Sequence, residues 1–156
     1  MFFRKKETEI VSPVKGKLIR LQDVPDPTFS EEMVGKGVAV IPEENEICAP
    51  ADGKITSVFP TEHAIGLTTR EGIDLLIHIG LDTVELKGEG FEVKVKEGAS
   101  VKQGDLLLVA DLEKIRQAGC RLESPVIICN PDQCKKIVYA EPAAVDRGDL
   151  IMKFLR

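Results

Sequence analysis

The stretch HAIGLTTREGIDLLIHIG, residues 63–80, decides the reading of this chain. Two short runs rich in Ile and Leu flank Thr69-Arg70-Glu71-Gly72, which predicts a β-hairpin. Gly72 suits the positive φ on which such loops often end. The hairpin also carries the chain's 2 histidines, His63 and His78. If Thr69–Gly72 form a four-residue loop, Thr68 faces Ile73 and His63 faces His78. Opposed residues share a sheet face, with Cβ atoms ~4.5–5.5 Å apart. A three-residue loop, Arg70–Gly72 with a bulge, would send the histidines to opposite faces. The four-residue register is the expectation carried forward, with both rings on one face.

A lone histidine in an apolar strand is more often a packed, hydrogen-bonded residue than a functional one. A close pair shifts that balance. Two imidazoles side by side disfavour double protonation, so both stay neutral near pH 7. A neutral imidazole is a nucleophile or a metal ligand. The pair therefore admits two chemistries, nucleophilic phosphoryl transfer and zinc binding.

Working outward, the chain is a succession of short Val-, Ile- and Leu-rich pieces punctuated by Gly, Pro and Asp. That texture predicts an all-β domain, and helical patterns are limited to PTFSEEMVG, stopped by Gly35, and DLEKIRQAG, stopped by Gly119. Two internal echoes appear. SPVKGKL (12–18) matches APADGKI (49–55), and EGASVKQGDLL (97–107) matches EPAAVDRGDLI (141–151). They fit a β domain built from two similar, interlocked halves. No low-complexity linker divides the 156 residues, so residues 10–156 are expected to form one domain behind a flexible segment, 1–9.

Composition excludes several classes. No apolar run reaches the length of a membrane span. MFFRKKETEI has too short an apolar part for a secretory signal. A net charge of −5 argues against a nucleic-acid binder and suits a basic protein partner. Cys48, Cys120, Cys129 and Cys134 form no CxxC pair and lie far in sequence from either histidine. Reduced, packed thiols in a cytoplasmic protein are expected.

The segments FPTEHAIGL and LLIHIGLDTVELKGEGF resemble the active-site region of the glucose-class enzyme IIA of the bacterial phosphoenolpyruvate-dependent sugar phosphotransferase system. The resemblance runs on through SPVKGKLIRLQDVPD, MVGKGVAVIP, APADGKI and GDLIMKFL. It implies an antiparallel β-sandwich with short helical turns. It further implies that His78 accepts a phosphoryl group from the carrier protein HPr and passes it to a cysteine of an enzyme IIB domain. His63 would steady the phosphoryl group, and Thr61, two residues before it on the same strand face, would hold its tautomer. No cofactor is implied beyond the covalent phosphoryl group.

The resemblance also implies an apolar collar for docking, formed by Phe29, Met33, Val34, Phe59 and Val84. Gly80 would let a partner backbone approach, and Asp82 would meet a basic partner. Where many members carry an aromatic, this chain has Ile65, Leu76 and Ile79, a difference that bears on partner preference. Three rival readings stand beside this one. A zinc hydrolase would use His63, His78 and Asp82, although HxH and HExxH are absent. A biotin or lipoate carrier would fit the Gly-Asp echoes but lacks a Met-Lys-Met signal. A regulatory binding protein would change partners with its phosphorylation state.

Overall fold

The computed structural model describes residues 7–156. Along the chain lie β1 (Glu7–Val11), β2 (Gly16–Arg20), α1 (Pro27–Ser30), β3 (Lys36–Pro42), β4 (Glu46–Cys48), β5 (Gly53–Val58), β6 (Ala64–Thr69) and β7 (Asp74–His78). There follow β8 (Phe91–Val93), β9 (Ser100–Val101), β10 (Leu106–Ala110), α2 (Leu112–Gln117), β11 (Ser124–Ile128), β12 (Lys136–Tyr139), β13 (Ala143–Val145) and β14 (Leu150–Leu155). An 8-stranded sheet runs β13-β2-β3-β11-β7-β6-β5-β9, and two 3-stranded sheets run β1-β14-β12 and β4-β10-β8. Every pairing is antiparallel. The fold is the expected all-β architecture of packed sheets. Residues 7–9, expected to be part of a flexible segment, instead belong to β1, where Glu7 faces Leu155 and Glu9 faces Lys153. The rest of that segment, 1–6, lies outside the described residues.

The two echoes mark one internal symmetry. Gly16 opens β2 and faces Val145 of β13, while Gly53 opens β5 and faces Val101 of β9. Each first-echo strand therefore pairs with a second-echo strand. The small sheets repeat the relation, with β1-β14-β12 flanking one half and β4-β10-β8 the other. The β7–β11 ladder joins the halves at the centre of the large sheet.

One apolar cluster draws on all three sheets and buries Leu75, Ile77 and Ile79. The alternate residues of β7, Leu76 and His78, face outward, as a period-2 strand requires. A second cluster covers part of that outer face with Leu21, Val24 and Phe29 over Ala39, Ile127 and, at its edge, Leu76. The covering segment carries α1, whose Asp26 caps the helix by accepting from the Thr28 amide at 3.0 Å, with Pro27 in the first turn. α1 ends at Ser30, before the expected stop at Gly35, because Glu32 takes a left-handed conformation at φ 59°. α2 begins at the Asp111 cap and is followed by Gly119 at φ 87°.

The hairpin register differs from expectation. Ala64, not His63, faces His78, and Thr68 faces Asp74. The loop is Arg70–Gly72, closed by Thr69 N–H donating to the Ile73 carbonyl, with Gly72 at φ 85°. Within this three-residue loop Thr69 Oγ1 also accepts from the Ile73 amide at 3.1 Å, which satisfies that donor at the tight turn.

Candidate functional site

His78 ends β7, and the chain turns immediately after it. The turn is held by Gly80 N–H donating to Ser124 Oγ at 3.1 Å, Leu81 N–H donating to the Arg121 carbonyl at 3.0 Å, and Thr83 Oγ1 donating to the Ile79 carbonyl at 2.5 Å. Gly80 has φ 70°, and a Cβ there would meet Thr83 Cγ2 at 2.7 Å and the Arg121 carbonyl at 2.8 Å. Its close neighbours are therefore the chain itself. Gly80 is buried, and its lack of a side chain is required by the turn itself.

The same turn brings the Gly80 carbonyl to 2.8 Å from His78 Nδ1. A carbonyl oxygen only accepts, so the hydrogen bond places the proton on Nδ1 and leaves Nε2 with its lone pair. Phe29 packs on this ring with centroids 5.0 Å apart. Burial lowers the His78 pKa to about 4, aided by the neighbouring His63 charge and opposed by the Gly80 hydrogen bond and the Asp26 carboxylate. The ring is neutral at pH 7.

His63 reaches His78 by a route the hairpin argument did not contain. It lies before β6, in a turn where Glu62 takes φ 59° and its N–H donates to the Phe59 carbonyl at 2.7 Å. The His63 carbonyl still accepts from Ile79 N–H at 2.9 Å, but its side chain no longer obeys the pleat. The two rings meet edge to face, centroids 4.8 Å apart. Thr61 is in the same turn, not on a strand as expected, with Oγ1 2.7 Å from His63 Nδ1. His63 is buried, 3% exposed, and burial lowers its pKa against an opposing interaction with the Thr61 backbone.

The other expected residues divide by position. Met33, Phe59 and Val84 are exposed, at 71%, 37% and 50%, and Phe59 stands edge-on to His63 with centroids 5.6 Å apart. Asp82 is exposed and makes no side-chain cap hydrogen bond, at φ 59°. Phe29 is buried at 5%, and Val34, half-buried, packs beside it in the second cluster. Ile65 and Ile79 are buried in the main core, whereas Leu76 is half-buried at the edge of the second cluster.

The zinc reading does not fit. Among the described residues no three His, Cys, Asp or Glu side chains are placed to hold one metal ion. Sequence reasoning also missed three contributors: the Gly80 carbonyl, the Asp26 carboxylate acting on His78, and the Thr83 hydroxyl bracing the turn. The glycine after His78 was visible, but its hydrogen bond was not. Asp26 arrives through tertiary folding and carries no local signal.

A β-sandwich that holds two neutral imidazoles in edge contact, one with its outer nitrogen unprotonated, has the parts of a histidine-based group carrier. Residues 8–134 match the model of the phosphoenolpyruvate-dependent sugar phosphotransferase system family EIIA 1, and the chain belongs to that family. It is a phosphotransfer component of sugar uptake. It is 44% identical over 144 residues to the glucose-specific EIIA component of Staphylococcus epidermidis strain RP62A, covering 92% of this chain and 87% of that one. It is 51% identical over 123 residues to the glucosamine-specific EIICBA component of Bacillus subtilis strain 168, covering 79% of this chain but 20% of that longer one. The solved glucose permease IIA of Mycoplasma capricolum superposes with TM-score 0.90 at 37% identity, covering 98% and 99% of the two chains. Among the described residues no helix is long and apolar enough to cross a membrane.

Proposed function

We propose that His78 Nε2 is the phosphoryl acceptor, that phospho-HPr is the donor, and that a cysteine of an enzyme IIB domain is the recipient, on the cytoplasmic side of a sugar permease. The observation that carries this reading is the 2.8 Å contact between His78 Nδ1 and the Gly80 carbonyl. It leaves one nitrogen free to attack, with its lone pair unprotonated.

In the first transfer, the Nε2 lone pair forms a bond to phosphorus while the donor's N–P bond breaks toward its own ring nitrogen. In the second, the IIB thiolate attacks phosphorus and the His78 N–P bond breaks. Such a displacement needs in-line approach and compensation of phosphoryl charge more than covalent machinery. Thr61 supplies the compensation indirectly. When its hydroxyl donates to His63 Nδ1, the His63 proton sits on Nε2 and points as a donor toward the phosphoryl oxygens. Burial keeps His63 neutral, so it neither repels nor permanently traps the dianion. Phe59 offers apolar surface beside His63, Met33 and Val84 are further exposed apolar side chains for docking, and Asp82 offers a carboxylate to a basic partner.

The test follows radiolabelled phosphoryl from HPr to this chain and from it to a IIB domain. Loss of acceptance in His78→Ala with the fold retained is expected. Undiminished acceptance in that variant would reject the assignment.

A further inference from the structure

A cleft of ≈ 630 Å³ opens at the other end of β5 and β6 from the histidines, and Lys54, Arg70 and Lys102 converge on it. Along β6 the step from Ala64 to Thr68 is four residues, about 13 Å of strand, so the cleft is a separate place on the molecule. Its electrostatics are unusual for a chain of net charge −5. Among the described residues, none of the three cations makes an ion pair or side-chain hydrogen bond. The carboxylates in the cleft are already engaged in shaping its walls. Asp52 accepts from the Gln103 amide at 2.8 Å, and Asp105 accepts from the Lys102 amide at 2.8 Å.

Hydroxyl groups complete the lining. Lys54 faces Thr68 on β6 and Ser100 on β9, forming one cross-strand row in which the Thr68 hydroxyl already donates to Asp74 Oδ1 at 2.7 Å and the Ser100 hydroxyl is left for a ligand. Thr56 and Ser100 make no side-chain hydrogen bond among the described residues. Thr69 is 4% exposed, its Oγ1 accepts from the Ile73 amide, and it contributes backbone rather than a free hydroxyl to the wall. No aromatic side chain lines the cleft, so a flat apolar ligand finds nothing to stack on.

We infer that this cleft binds a small phosphorylated polyol. The guanidinium of Arg70 and the ammonium groups of Lys54 and Lys102 match a phosphomonoester dianion. The hydroxyls of Thr56 and Ser100 match the hydroxyls of the polyol. The volume lies in the range usual for small-molecule pockets, roughly 300–1,000 Å³. A long polyanion such as nucleic acid is disfavoured by the acidic remainder of the surface. The inference is independent of the chemistry at His78.

The experiment titrates the ¹⁵N-labelled full chain with glucose 6-phosphate, inorganic phosphate and glucose, each at constant ionic strength. Saturable shifts are expected at Gly53, Lys54, Thr69, Arg70 and Ser100 with glucose 6-phosphate. Inorganic phosphate is expected to bind at least about tenfold more weakly and glucose not measurably. Lys54→Gln and Lys102→Gln should each weaken glucose 6-phosphate binding by about tenfold, the scale of one charge-assisted hydrogen bond. Lys153→Gln, which removes a charge paired with Glu7 on another sheet, should leave the affinity unchanged. Absence of saturable shifts, equal affinity for inorganic phosphate, shifts confined to the histidine end, or equal losses in all three variants would each overturn the proposal.

Discussion

His78 Nδ1 lies 2.8 Å from the carbonyl oxygen of Gly80, two residues further along the chain. The contact turns a sharp bend into a chemical instruction. Because only Nδ1 can donate to that oxygen, Nε2 is the nitrogen that faces the outside without a proton.

The first expectation follows directly. Phosphoryl transfer should modify Nε2 and leave Nδ1 bonded to the carbonyl. One phosphoryl group per chain is expected, labile to acid and stable to alkali, because an N–P bond hydrolyses once the ring is protonated. Phosphorus–nitrogen couplings in ¹⁵N-histidine-labelled protein check this. Coupling to Nδ1, or an acid-stable modification, would show that the Gly80 contact does not govern the chemistry.

The two rings should fail differently when replaced. His78→Ala removes the nucleophile and should abolish acceptance. His63→Gln keeps an N–H donor near the phosphoryl oxygens but loses the ring geometry that Thr61 holds. Acceptance from HPr should survive in part, while onward transfer to the IIB cysteine falls on the order of 10²–10³-fold. Both half-reactions are to be measured for both variants. Equal and complete loss of acceptance in the two would end the proposed division of labour.

The pH dependence has a definite sign. Burial lowers the His78 pKa in the folded chain to about 4, whereas an unfolded histidine protonates near the ordinary 6.5. Between those values the unfolded state binds more protons, so stability should fall as pH drops through that window, by up to roughly 1.4 kcal/mol per pH unit. His78→Gln should flatten this part of the curve. Ring C–H resonances of His78 should hold their neutral positions down to about pH 5. A midpoint near 6.5 would contradict the burial described here.

Gly80→Ala tests the turn. The added Cβ meets Thr83 Cγ2 at 2.7 Å and the Arg121 carbonyl at 2.8 Å, at φ 70°. A cost of roughly 1–3 kcal/mol is expected in denaturant unfolding. The same shift should loosen the Nδ1 contact and slow acceptance. A variant that is fully active and as stable as the parent would show that the turn does not need glycine.

Phe29 is buried at 5% with its ring against His78. Phe29→Ala should cost roughly 3–5 kcal/mol, the usual range for emptying such a site. Phe29→Leu should cost less and keep acceptance measurable. Comparison of unfolding with acceptance rates separates support of the ring from docking of a partner. If Phe29→Leu keeps both ring geometry and stability but loses affinity for HPr, Phe29 belongs to the docking surface after all.

The sequence by itself determined most of the longer strands, that the domain is all-β with two related halves, and that its two histidines flank one hairpin. Local patterns suffice for these because a period-2 run, a Gly turn and a repeated segment are encoded within a few neighbouring residues. The echoes carried more than expected, since Gly16 and Gly53 proved to face Val145 and Val101 in equivalent positions. Strands β1, β4, β9, β12 and β13 were not legible, because short strands at sheet edges derive their structure from a partner far away in the chain.

Only the tertiary structure decided how the histidines meet. The hairpin register expected from loop length was wrong by one residue, which should have parted them. They meet because the turn at Glu62 takes His63 out of the pleat, so strand alternation no longer dictates its direction. The segment around α1 then brings Phe29 and Asp26 to His78 from about fifty positions away in the chain. Burial and long-range contact set the tautomer and the lowered pKa. Both depend on what is packed around a ring, and no local window of sequence contains that.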